Sequence, residues 1–222
     1  LGGLGLFLLG MMLMTDGLKL AAGRALRHIL AQWTRTPLRG LFSGILITAL
    51  VQSSGAVTVA TIGFVNAGLL DLLQTVYVVF GSNIGTTMTG WLVALVGFQV
   101  DIKALALPLI ALGMLLRLTS GPAGRGAVGM ALAGFGLFFL GIDVLMGTFS
   151  TLGETVSLEA WRGEGPLGVL FLVGFGFVLT FLMQSSSAAL AITLTAAAGG
   201  LLPVEDAAAV VIGANLGTTG TA

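Results

Sequence analysis

Two short polar strings stand out in an apolar chain: Gln52-Ser53-Ser54 and Gln184-Ser185-Ser186-Ser187. Starting 29 residues after each glutamine comes the pattern Gly-x-Asn-x-Gly-Thr-Thr, at Gly81 to Thr87 and again at Gly213 to Thr219. Amide and hydroxyl side chains are neutral donors and acceptors, able to replace the hydration shell of a small ion. Neither string contains Arg or Lys. An anion held there would depend on hydroxyls, amides and helix ends together with accompanying cations, which suits reversible binding. Nucleophilic serine chemistry would need a base. The lone His28 sits among arginines on a connection far from both serine strings, so an intramembrane hydrolase is disfavoured. Cysteine is absent, which excludes disulfides and thiolate metal sites.

Composition then says what must position these residues. Of 222 residues 8% are charged and 56% hydrophobic, with a mean hydropathy of +1.08, whereas soluble domains carry about 25% charged residues. The reading is an all-α integral membrane protein, multi-pass, in the plasma (cell inner) membrane. Nine basic and nine acidic residues cancel, leaving no global field to recruit nucleic acid. Leu1 to Leu20 and Ala127 to Phe149 are runs of spanning length, and Ala104 to Leu116 is a shorter one. Gly40 to Leu70, Leu72 to Val100 and Gly165 to Val204 are uncharged for 31, 29 and 40 residues, and none is a clean single span.

Residues 43–90 align without a gap on 175–222 at a shift of 132, with 19 of 48 positions identical. Gly-Leu-Phe-Leu-Leu-Gly at 5–10 likewise matches Gly-Leu-Phe-Phe-Leu-Gly at 136–141. The chain is therefore two copies, 1–126 and 127–222. After the first span copy one carries Lys19, Arg24, Arg27, Arg35 and Arg39, whereas the matching stretch of copy two carries Glu154, Glu159 and Glu164 against Arg162. Basic flanks stay cytoplasmic, so the two copies are expected to be inverted, a transporter arrangement. Arg117 and Arg125 mark a second cytoplasmic connection, and an even number of crossings must separate it from Arg39. One apolar piece then fails to cross. Leu41 to Asn66, with Gln52-Ser53-Ser54-Gly55 at its centre, is read as a re-entrant hairpin, tolerable only where protein or a wet cavity surrounds it. The next piece, capped by Asp71, is read as a helix broken at Gly81 to Thr87, and copy two repeats the scheme as far as Ala222. The partner of the closing span is expected in further chain.

Hairpin tips and helix breaks expose backbone groups without intrahelical partners, N-terminal ends favouring anions and C-terminal carbonyls favouring cations. With these motifs, each present twice and in order, the chain resembles the type II sodium-dependent phosphate cotransporters and their bacterial relatives. That resemblance implies an inverted-repeat symporter in which both hairpins and both broken helices surround inorganic phosphate and coupled sodium ions, without an organic cofactor. It marks the two Gln-Ser-Ser strings and the Asn and Thr residues of the two later motifs as the site, without dividing them between the ions. Within that set the hydroxyls of Ser53, Ser54, Thr86, Thr87, Ser185, Ser186, Ser187, Thr218 and Thr219, with adjacent backbone N–H groups, suit phosphate. The oxygens of Thr48, Gln52, Asn83, Thr180, Gln184 and Asn215 suit sodium, a hard cation. Gly55 departs from the family pattern, which has a third serine there.

Asp143 lies inside an apolar run and has Met12 as its counterpart, so it is a functional candidate outside the repeat logic. Asp16 reads the same way, more weakly. Trp33, Trp91 and Trp161 fall near span ends, as aromatic anchors do. The arginine cluster is a topology signal with lipid contact. Rival readings keep the fold but change the cargo to another oxyanion or a carboxylate, exchange sodium for protons, or make the protein a phosphate exporter, sensor or channel. A homodimer is compatible with all of them.

Overall fold

The computed structural model describes residues 1–32, 36–97, 102–121, 124–155 and 165–221. The described residues form nine α-helices: α1 (Gly2–Gln32), α2 (Pro37–Val51), α3 (Ser54–Asn66), α4 (Leu72–Leu92), α5 (Ile102–Ser120), α6 (Arg125–Thr155), α7 (Pro166–Met183), α8 (Ser186–Ala198) and α9 (Val204–Thr221). A π-helical turn, Val93–Gly97, extends α4. Gly2–Ala22, Leu72–Leu95, Arg125–Gly153 and Pro166–Met183 are long and apolar enough to cross a membrane. The protein is thus helical and integral to the membrane. Lys19 and Arg39 are exposed; Arg35, Glu159, Arg162, Glu164, Trp33 and Trp161 lie outside the described residues, as do the side chains of Arg24, Arg27, His28 and Glu154.

Glycines decide which helices touch. Gly10 and Gly17 of α1 meet the backbone of α6 at Phe138 and Ala131, while Gly134 and Gly141 of α6 meet α1 at Met14 and Phe7. Rising numbers on one helix meet falling numbers on the other, so α1 and α6 pack antiparallel. Any Cβ at these four positions would overlap main chain, so the helices approach as small-residue seams allow. Beside the seam Phe7, Phe138, Phe139 and Ile142 are fully buried, with the Phe7 and Phe138 rings 5.1 Å apart.

Within each copy the same device joins the helix before the Gln-Ser-Ser string to the helix two further on. Gly44 of α2 lies on Val78 of α4, and Gly81 and Gly85 of α4 lie on the Leu41 and Ile45 carbonyls of α2. In copy two Gly176 lies on Val210, and Gly213 and Gly217 lie on Val173 and Phe177. Both pairs, α2 with α4 and α7 with α9, run parallel.

This seam corrects one expectation. Neither Gly81 to Thr87 nor Gly213 to Thr219 breaks its helix: α4 and α9 run through them as continuous α-helix. Interior glycine costs a helix only about 1 kcal/mol, and here the glycines sit on one face and buy the close approach to α2 and α7. The motif hydroxyls stay within helical geometry too, Thr86 donating to the Ser82 carbonyl at 3.1 Å and Thr219 to Leu216 at 2.7 Å. The departure from α geometry in α4 comes later, at the π turn. Asp71 does cap α4: the Gln74 N–H donates to its carboxylate at 2.8 Å, and the Asp71 N–H donates to the Gln74 side chain at 3.1 Å, a reciprocal capping box.

Helix length separates the two Gln-Ser-Ser elements. With 15 residues at about 1.5 Å each, α2 is too short to cross hydrocarbon, whereas the 18 residues of α7 reach spanning length. The copies also interlock: α4 of copy one packs on α8 of copy two, and α9 of copy two packs on α3 of copy one.

Candidate functional site: a cavity between two hairpin tips

The chain leaves α geometry at Gln52 and at Gln184 and re-enters it two residues later. Gln52 has φ 55° and ψ 29°, and Gln184 has φ 53° and ψ 26°. Among the described residues these are the two non-glycine positions with positive φ. A left-handed residue after a helix is ordinarily Gly or Asn, and another L-residue costs roughly 1–2 kcal/mol there. Glutamine in that place, twice, points to a use for its side chain. Next in sequence, Ser53 and Ser185 cap the following helices, accepting from the Ala56 and Ala188 N–H groups at 3.2 Å each. Each tip therefore sets the carbonyl end of one helix beside the N–H end of the next.

Both tips open into one cavity of about 180 Å³, lined by Gln52, Ser53, Ser54 and Gly55 from the first, by Gln184, Ser185, Ser186 and Ser187 from the second, and by Ala56, Val59 and Thr218. No charged side chain is among them. That space is large enough for several waters. Eight of the residues expected from sequence are thereby brought together: Gln52, Ser53, Ser54, Gln184, Ser185, Ser186, Ser187 and Thr218.

The other seven lie elsewhere. Asn83, Thr87, Asn215 and Thr219 are exposed, on the faces of α4 and α9 turned away from the glycine seams. Thr86 is buried and bonded within α4. Thr48 and Thr180 lie one turn before each glutamine, 1% and 0% exposed, against Gly85 and Gly217. Among the described residues, their Oγ1 atoms are the buried side-chain polar atoms without a hydrogen-bond partner. Leaving such a hydroxyl unpaired costs about 1–3 kcal/mol, and the two lie at matched positions of the two copies.

The two glutamines are not equivalent. Each side-chain amide folds back to donate 2.6 Å to its own helix, Gln52 to Ala49 and Gln184 to Phe181. The Gln52 Oε1, in addition, accepts from the Thr89 hydroxyl at 2.5 Å in a buried pair. Gln52 is buried and Gln184 exposed. Sequence reasoning missed Thr89, although the repeat carried a signal: at the shift of 132 Thr89 falls on Thr221, whose side chain lies outside what is described. Asp143, half-buried on α6, and Asp16, exposed on α1, are not among the cavity-lining residues.

Among the described residues, two helix-turn-helix elements thus enclose an uncharged, oxygen-rich cavity in a helical protein integral to the membrane. The chain belongs to the Na+/Pi-cotransporter family, which matches residues 6–147 and 168–222. It is 30% identical over 219 residues to the "Uncharacterized protein YqeW" of Bacillus subtilis, covering 97% of this chain and 68% of that protein. It is 26% identical over 218 residues to the "Putative inorganic phosphate export protein YjbB" of Escherichia coli, covering 98% of this chain and 39% of that protein. The "Sodium-dependent phosphate transport protein 2A" of Rattus norvegicus is 37% identical over 107 residues, 46% of this chain and 17% of that protein. The chain thus spans about two fifths of the YjbB proteins it matches. No solved structure matches it. Proteins of this family are transporters and not enzymes.

Proposed function

We propose that the chain forms the core of a secondary active transporter that moves inorganic phosphate together with sodium by alternating access. One observation carries the reading: two Gln-Ser-Ser tips, each with a left-handed glutamine, face a single uncharged cavity. In this reading the serine hydroxyls and the free N–H groups at the starts of α3 and α8 hold phosphate, and sodium ions offset its charge from the glutamine carbonyls and the Thr48 and Thr180 hydroxyls. Antiparallel packing of α1 on α6 and the reciprocal contacts of α4 with α8 and α9 with α3 support an inverted repeat, and the shortness of α2 supports a re-entrant first hairpin, whereas α7 is long enough to cross. Rocking one copy against the other would then open the shared cavity to alternate sides.

The test is uptake of labelled phosphate by the full-length protein in proteoliposomes, with and without a sodium gradient and with sulfate and dicarboxylates as competitors. Sodium-dependent uptake that sulfate fails to inhibit supports the reading; uptake indifferent to sodium, or inhibited equally by sulfate, sinks it. A second reading, phosphate export, is favoured by similarity along 98% of the chain to a protein named for it. Under that reading phosphate-loaded vesicles release phosphate faster than they accumulate it under the same gradient.

A further inference from the structure

The two copies also differ beneath the helix that follows each Gln-Ser-Ser string. In copy one the Phe64 ring packs on Ile47, Val51, Val57 and Val78. The counterpart of Phe64 is Ala196, and beside it copy two has an apolar cleft of about 350 Å³ bounded by Phe149, Phe171, Phe175, Leu179 and Val210. Leu179 and Val210 are the counterparts of Ile47 and Val78. Ala196 thus lines the cleft at the position where copy one places the Phe64 ring against its own core. Phe171 and Phe175 are 59% and 51% exposed, so the cleft opens on the outer face of α7.

Leu172 and Asp206 also border an adjoining depression of about 330 Å³, together with Gly165, Gly168 and Glu205. That end carries the first turns of α7 and α9, at the edge of a spanning helix, where lipid headgroups lie. Glu205 is exposed there, and copy one has Leu73 in the matching position. We infer that the cleft is a binding site for one membrane phospholipid with a primary ammonium headgroup, its acyl chain lying in the cleft and its ammonium beside Glu205. An apolar void open to hydrocarbon forfeits dispersion contacts along its lining unless an acyl chain fills it. Glu205 and Asp206 give this mouth two carboxylates where the start of α4 in copy one has Asp71 alone, and they select a headgroup that ends in a cation.

Native mass spectrometry of the full-length protein tests this, after delipidation and addition of phosphatidylethanolamine or phosphatidylglycerol with identical acyl chains. The wild type is expected to retain one phosphatidylethanolamine in preference to phosphatidylglycerol. Ala196→Phe, which restores the residue of copy one, loses that lipid while keeping phosphate uptake. Glu205→Gln, at an exposed position that should not disturb folding, lowers the headgroup preference about two- to fivefold, the size of an exposed ion pair. A wild type that retains neither lipid, because further chain or a second copy covers the cleft, overturns the inference. So does a wild type without headgroup preference, or an Ala196→Phe protein that keeps the lipid.

Discussion

At the residue scale the proposed function rests on two glutamines held where backbone sterics disfavour them. Gln184→Gly relieves the left-handed strain, so it should melt no lower than the wild type and up to roughly 1–2 kcal/mol more stable, yet lose phosphate uptake. A variant that transports normally would show that the side chain has no role. Thr48 and Thr180 give a sharper contrast. Without a ligand, valine in place of threonine removes an unpaired buried hydroxyl and leaves stability equal or higher. If the hydroxyl binds sodium, Thr180→Val raises the sodium concentration for half-maximal uptake by about fivefold or more, since one lost ligand of about 1–3 kcal/mol is worth that much. Unchanged sodium dependence in both Thr48→Val and Thr180→Val would remove them from the site. Sequence alone disclosed the cavity-lining strings because chemistry and repetition coincided at Gln52 and Gln184. It did not disclose Thr89, whose hydroxyl reaches Gln52 only because α4 packs along α2.

At the scale of elements, the same letters, Gly-x-Asn-x-Gly-Thr-Thr, serve a break or a close-packed seam equally well. What separates the two is the face. Gly81 and Gly85 fall one turn apart on one side of α4, and Asn83 and Thr87 fall one turn apart on the other. Helical spacing is thus visible in the sequence, but which side meets α2 depends on tertiary packing. The hairpin turns were readable because a polar string divides two apolar stretches, and the α4 start because Asp71 and Gln74 have capping-box spacing. Gly81→Ala and Gly213→Ala place a methyl group into backbone and should lower stability in detergent by about 1–3 kcal/mol. Gly63→Ala, with no atom near its added carbon, should leave stability unchanged or slightly raised. Equal melting temperatures for Gly81→Ala and Gly63→Ala would argue against the seam.

At the scale of the molecule, the account requires two copies of opposite orientation meeting at one cavity. Lys19 on α1 and Ser150 on α6 occupy matching positions and are both exposed. In a chain free of native cysteine, Lys19→Cys and Ser150→Cys should react with a membrane-impermeant maleimide from opposite sides. Labelling of both from one side would contradict the inversion. Charge suggested this orientation from sequence, through basic residues after the first span of copy one and acidic residues after that of copy two. The convergence of the tips was expected from the motifs and the family resemblance, but not the packing that produces it, in which α4 reaches α8 and α9 reaches α3 across the copy boundary.

The most direct measurement joins the two tips chemically. A Ser53→Cys/Ser185→Cys double variant of the full-length protein should be bridged within the chain by a short bifunctional thiol reagent, each single variant giving no bridge. Phosphate and sodium together should slow that bridging by filling the cavity. Failure to bridge, or bridging at the same rate with and without both ions, would contradict a shared phosphate site between the two hairpins.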